Sequence, residues 1–367
     1  MLLKDACINK KNNLNFIRLI AAILVVYMHS FSISLGDEAG DIIGRLTLGK
    51  EYAGGLAVDI FFIISGFLIC KSYDNSKSIA QYAKARFLRI WPLLFVVVML
   101  LTFVMGPLVT SYEVSHYFAL TKYWLYFLRN LYFVSAYTQL PGVFMNHFQN
   151  SVDGSLWTLA YEVICYIFVV ISAPLWKRKK FSIPVMAVLC SAIFVFHKYI
   201  NAFSIGPISA EFIRNLSRFM TYFLVGMLFY LYRDVIRLDK KLLATGILVV
   251  VVGILFLDFT ICFAIGGACI IFVVGFSEKI NTQWYEKIGD LSYGIYLISF
   301  PIQQLIVYFL GRTGEKLFLY MDPYINFVIS LVICLPIAYL SWHFIEKPCL
   351  KLKNKKFVWK NKRFTAK

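Results

Sequence analysis

The chain has 367 residues, of which 60% are hydrophobic and only 16% charged, and its formal net charge is +17. Soluble domains run nearer roughly 45–50% apolar and 25% charged, so one water-exposed fold around a single core is excluded. Lys and Arg gather in short segments between apolar runs and at the C-terminus, the pattern of the positive-inside rule rather than of a nucleic-acid surface. From Lys347 to Lys367 there is no acidic residue, and a basic tail of this kind rests on anionic lipid headgroups.

A bilayer core of roughly 30 Å needs about 20 apolar residues per helical crossing. The expected fold is therefore an all-α, polytopic transmembrane helix bundle. Candidate spans are 15–35, 52–72, 88–108, 155–176, 181–199, 212–232, 241–258, 259–276, 289–310 and 322–346. The first has no A-x-A cleavage signal behind it and reads as a retained span. Loop charge supports ten crossings with both termini cytoplasmic. Lys4, Lys10 and Lys11, the basic segment 71–89, the run 177–180, the segment 233–241 and the tail then all fall on one side. The chain divides into a cytoplasmic N-terminus (1–14), a transmembrane domain (15–346) and a basic cytoplasmic tail (347–367). The aromatic stretch within 109–154 would break this count as an eleventh span. It reads instead as an interfacial or re-entrant segment on the outer side.

Ionisable residues inside spans are costly, and each is a functional candidate. Arg18 and His29 lie 11 residues apart in the first span. That spacing puts them within about 20° of one helix face and about 16 Å apart along it. Asp59 in the second span and Glu162 in the fourth enter from the outer side to a depth similar to His29. A carboxylate beside an imidazole fixes its tautomer and strengthens it as a base; the plainer reading is a polar network tying helices together. Arg86 and Arg89, at i and i+3 near the cytoplasmic start of the third span, suit a phosphate ligand or a membrane anchor equally. Ser65-Gly66 is a small-residue packing or positioning site. The eight cysteines sit mostly within apolar runs without a C-x-x-C pair, and they imply neither a disulfide framework nor a metal site.

Six segments in order resemble the acyltransferase-3 family of membrane acyltransferases, which includes O-antigen and exopolysaccharide O-acetylases. They are Arg18 with His29; Val58-Asp59 through Ser65-Gly66-Phe67; Arg86-Phe-Leu-Arg89; Ser155-Leu-Trp157 through Glu162; Leu291-Ser-Tyr293 with Tyr296; and Phe344-Ile-Glu346-Lys347-Pro348. The resemblance implies transfer of an acyl group, usually acetyl from cytoplasmic acetyl-CoA, to a hydroxyl of a cell-envelope glycan. It implies a multi-pass protein of the bacterial inner membrane, with acyl-CoA as a donor substrate rather than a resident cofactor. It also implies that His29 and Arg18, Arg86 and Arg89 matter for activity. On this reading His29, Glu162 and Asp59 are catalytic. Arg18, Arg86 and Arg89 bind acyl-CoA, and Ser65, Trp157 and Tyr293 position. One departure stands out: Ser299 in Tyr296-Leu-Ile-Ser299-Phe-Pro301 occupies a place where the family commonly has His. The competing class is a proton-coupled secondary transporter using the buried His, Asp and Glu; carriers often show internal repeats, and none is visible here.

Overall fold

The computed structural model describes residues 1–8, 12–37, 40–132, 138–178, 181–199, 209–313 and 319–354. Lys10 and Lys11, Phe133, the second half of the 177–180 cluster and the tail beyond 354 lie outside them. Among the described residues ten helices of 16 or more residues form a bundle. They are α1 (Leu14–Leu35), α2 (Ala53–Asp74), α3 (Ile79–Leu100), α4 (Trp157–Arg178), α5 (Ser182–Tyr199), α6 (Ala210–Leu231), α7 (Lys240–Leu255), α8 (Phe259–Gly275), α9 (Ser292–Leu310) and α10 (Pro323–Ser341).

Among the described residues six helices are long and apolar enough to cross a membrane: α1, α2, α3 extended to Val109, α4, α9, and α10 extended to Lys351. The other four helices fall at expected spans but do not meet that measure. The apolar parts of α5, α7 and α8 are shorter than 18 residues, and α6 carries Glu211, Arg214 and Arg218. The chain is thus a mostly helical protein with several membrane-crossing helices.

α1 lies at the centre of one half of the bundle, against α2, α9 and α10. α2 packs on α6 through a reciprocal pair of glycines. A Cβ on Gly66 would run into the carbonyl of Phe223, and one on Gly226 into the carbonyl of Ile63. Only glycine permits backbones this close.

The third helix begins nine residues before the expected 88. Ser78 Oγ accepts from the Gln81 amide at 3.2 Å while Gln81 Oε1 accepts from the Lys77 amide at 2.9 Å, a reciprocal cap of the capping-box kind. Arg86 and Arg89 therefore lie about 10 and 15 Å along the helix rather than at its mouth. At its far end α3 passes through a π turn, Leu101–Met105, into Gly106–Val109. The Tyr117 hydroxyl donates to the Thr102 carbonyl there at 2.9 Å. A second π turn, Trp342–Glu346, follows α10. Within 109–154 the longest described helix is Thr121–Tyr132, 12 residues, about 18 Å and too short to cross.

Candidate functional site

The second turn of α1 carries Arg18 and the loop before α9 carries Asp290. Arg18 Nη1 donates to Asp290 Oδ2 at 2.7 Å, and Arg89 Nη2 from α3 donates to the same oxygen at 2.5 Å. Arg89 Nη1 reaches Glu346 Oε2 at 3.3 Å, and Ser341 Oγ donates to the other Glu346 oxygen at 3.1 Å. Ser292 Oγ donates to Asp290 Oδ1 at 2.6 Å. Two guanidinium groups thus face two carboxylates in a setting where Glu346 is 2% exposed. The π turn is what sets Glu346 on this face of its helix. Charges withdrawn from water require this pairing. The guanidiniums are therefore already matched, and an incoming phosphate would compete with Asp290 for them.

Beside this network lies a cavity of about 60 Å3, lined by Arg18, Arg89, Ser65, Glu162, Tyr293 and Tyr296 among others. Five of the residues picked from sequence thus converge on one space with room for about four waters. Arg89 lies over the Tyr293 ring, 5.6 Å from its centre. The Tyr293 hydroxyl donates to the Ile90 carbonyl at 2.8 Å, pinning the ring to α3. The Tyr166 hydroxyl, one turn along α4, donates to Glu162 Oε1. Val58, Phe61, Phe62 and Ser65 form the α2 wall, the i, i+3, i+4, i+7 spacing of one helix face.

Four sequence candidates lie elsewhere. Asp59 stands next to Val58 on a different face of α2 and is fully buried. Its Oδ2 accepts from Arg218 Nη2 at 2.7 Å and its Oδ1 from Arg218 Nε at 3.1 Å. Glu51 binds the same Nη2. The expected support of His29 by Asp59 is therefore corrected: the carboxylate is committed to Arg218 of α6. Glu162 also faces the cavity and Tyr166 rather than His29. His29 has its ring edge-on to Phe300, centroids 4.9 Å apart, and its Nδ1 is buried with no hydrogen-bond partner among the described residues. The three groups expected to form one cluster are divided among three environments, because depth along separate helices does not determine which way each side chain faces.

Arg86 has left its partner as well. It donates to Ser72 Oγ at 3.3 Å and lies 5.8 Å from the centre of the Tyr166 ring, outside the cavity. The shared Arg86/Arg89 site expected from the i, i+3 spacing is corrected accordingly. Trp157, 37% exposed, packs on Phe219 and Tyr161. Sequence reasoning missed Asp290, Arg218, Glu51 and Tyr166. Glu346 stood in a quoted motif without a role.

The chain resembles known proteins along nearly its whole length. The family profile described as an acyltransferase domain matches residues 11–343. An O-acetyl transferase of Shigella phage Sf6 is 26% identical over 357 residues, covering 92% of this chain and 96% of that protein. Nodulation protein 10 of Rhizobium leguminosarum bv. viciae is 29% identical over 370 residues, covering 94% of each. No solved structure gives a significant match.

Proposed function

This chain belongs to the acyltransferase-3 family, and from that premise we propose that it moves an acetyl group from cytoplasmic acetyl-CoA to a hydroxyl of a cell-envelope polysaccharide or its lipid-linked precursor. Acyltransferase activity follows from the family. The donor, the acceptor and the residue roles are our reading. So are the ten crossings, the cytoplasmic termini, the division at 14 and 346, the outer-side placement of 109–154, and a bacterial inner membrane.

One observation carries the reading: Arg18, Arg89, Ser65, Glu162 and Tyr293, from five helices, line a single cavity, with Arg18 on the same helix as His29. In the proposal the donor enters from the side of Arg18 and Arg89. Its narrow pantetheine arm passes through the cavity toward His29, about 16 Å further along α1. The cavity is small, so donor binding has to part the surrounding helices. His29 takes the proton of the acceptor hydroxyl. The freed oxygen bonds to the thioester carbonyl carbon, the carbon–sulfur bond breaks, and CoA leaves as thiolate and collects the proton. The alternative route passes through an acyl group carried briefly on His29. Glu162 and Tyr293 shape the passage, and Asp59 fixes the helices around it through Arg218.

The carrier reading loses its footing in the geometry. A proton relay needs neighbouring groups that exchange protons, whereas Asp59 is held by Arg218 and His29 Nδ1 has no partner among the described residues. The test uses purified protein in lipid nanodiscs with radiolabelled acetyl-CoA and envelope polysaccharide from a host strain lacking the gene. Label on the glycan with stoichiometric release of CoA is the expected result. Glycan-driven proton flux without label transfer would overturn it.

A further inference from the structure

Residues 303 and 304 of α9 are adjacent glutamines, both fully buried, and their amides are treated differently by the fold. Gln304 is well matched. Its Nε2 donates to the carbonyls of Gln149 and Ser151, both at 2.6 Å, and its Oε1 meets His147 Nδ1 at 2.7 Å. It ties the 138–156 segment to α9.

Gln303 is matched on one side only. Its Nε2 donates to the Val26 carbonyl at 2.8 Å, and its Oε1 is buried without a partner among the described residues. The amide cannot be turned round, because two carbonyl oxygens facing each other would make no bond. The bare acceptor is therefore fixed by chemistry. Leaving such an oxygen buried and unmatched is destabilising, because it gives up its hydrogen bonds to water and gains none.

Val26 is one turn from His29 on α1. Ser299 is one turn from Gln303 on α9, fully buried, and its Oγ also lacks a partner. Phe300, between them in sequence, is the ring against which His29 rests. The α1–α9 seam therefore holds three buried polar atoms without partners among the described residues: His29 Nδ1, Ser299 Oγ and Gln303 Oε1. A further hydrogen donor is what Gln303 lacks, and a hydroxyl group can donate to one of these atoms while accepting from another.

We infer that this seam binds the hydroxyl-bearing acceptor, with Gln303 Oε1 and Ser299 Oγ as positioning groups that orient a sugar hydroxyl toward His29. The inference rests on the proposed transfer to an envelope glycan and adds the residues that hold the acceptor. Gln303 acts through the substrate it orients, and the C–O bond-forming step is unchanged.

The test compares wild type with Gln303→Met, which keeps the length of the side chain and removes the acceptor oxygen, and with Ser299→Ala, which removes a single oxygen. Nanodisc-embedded full-length proteins are assayed with labelled acetyl-CoA and unacetylated host polysaccharide. Gln303→Met should raise the KM for polysaccharide about tenfold, as loss of one substrate hydrogen bond does, while the KM for acetyl-CoA stays within twofold. Ser299→Ala should move the same constant in the same direction. Two unchanged acceptor KM values, or a parallel fall of kcat for both substrates without the KM split, would overturn the inference. Where Gln303→Met does not fold, Ser299→Ala decides alone. Wild-type protein that transfers no label to polysaccharide would overturn the functional proposal itself, an outcome distinct from either variant result.

Discussion

Arg89 donates to Asp290 at 2.5 Å across 201 residues of sequence. The bond fastens the middle of α3 to the loop that starts α9. Arg18 shares the same carboxylate oxygen, so one acidic side chain holds three parts of the chain around the cavity.

Removing that acid leaves two guanidiniums, 19% and 14% exposed, with Glu346 as the remaining carboxylate of the network. Asp290→Asn should destabilise the protein by about 3–5 kcal/mol, the usual result of stripping one partner from a buried ion pair. Thermal unfolding in detergent, followed by tryptophan fluorescence, measures it. An unchanged melting temperature would show that the arginines are satisfied without Asp290.

Arg218 presents a similar case with a different use. Arg218→Gln strands Asp59 and Glu51, and should cost about 3–5 kcal/mol. Adding Asp59→Asn removes one of the stranded charges, so the double variant should recover part of the loss. A double-mutant cycle with a coupling of at least about 1 kcal/mol is the expected outcome. Additive losses would mean that Asp59 serves something other than this pair.

Asp153, in the segment preceding α4, supplies a pH dependence. It is fully buried, its Oδ1 accepts from the Ser155 amide at 2.9 Å, and its Oδ2 has no partner among the described residues. Burial pushes its carboxyl up to about 7 against the lowering effect of the Ser155 bonds. A carboxyl that holds its proton more tightly when folded stabilises most below its unfolded value near 3.9 and loses that contribution as pH rises toward 7. Asp153→Asn removes the titration. The stability of the variant relative to wild type should therefore rise between pH 5 and pH 8, by on the order of 2 kcal/mol. Unfolding at both pH values reads this directly, and a constant difference would contradict it.

Much of this arrangement was legible in the chain before folding, and some was hidden for definite reasons. The 11-residue spacing placed Arg18 and His29 on one helix, and depth counting drew attention to Glu162, which does reach the cavity. The start of α3 was missed although its signal was present. Ser78 and Gln81 spell a cap, but Lys84, Arg86 and Arg89 read as a charged loop and outweighed it. Asp59 was assigned to the wrong neighbour because the sequence gives its depth and not its azimuth relative to other helices. Its true partner, Arg218, is 159 residues away. Asp290 drew no notice because it stands at the very edge of the expected span 289–310, where a charge is unremarkable, and only the packing of α1 and α3 on that loop reveals its place.

The central claim is that acyl transfer depends on His29. The decisive measurement is label transfer from acetyl-CoA to polysaccharide by His29→Ala and His29→Gln proteins that retain the wild-type melting temperature. Removal of a general base or acyl-carrying group predicts a fall of about 10²–10⁴-fold or more. Transfer within a few-fold of wild type in either variant would contradict the account.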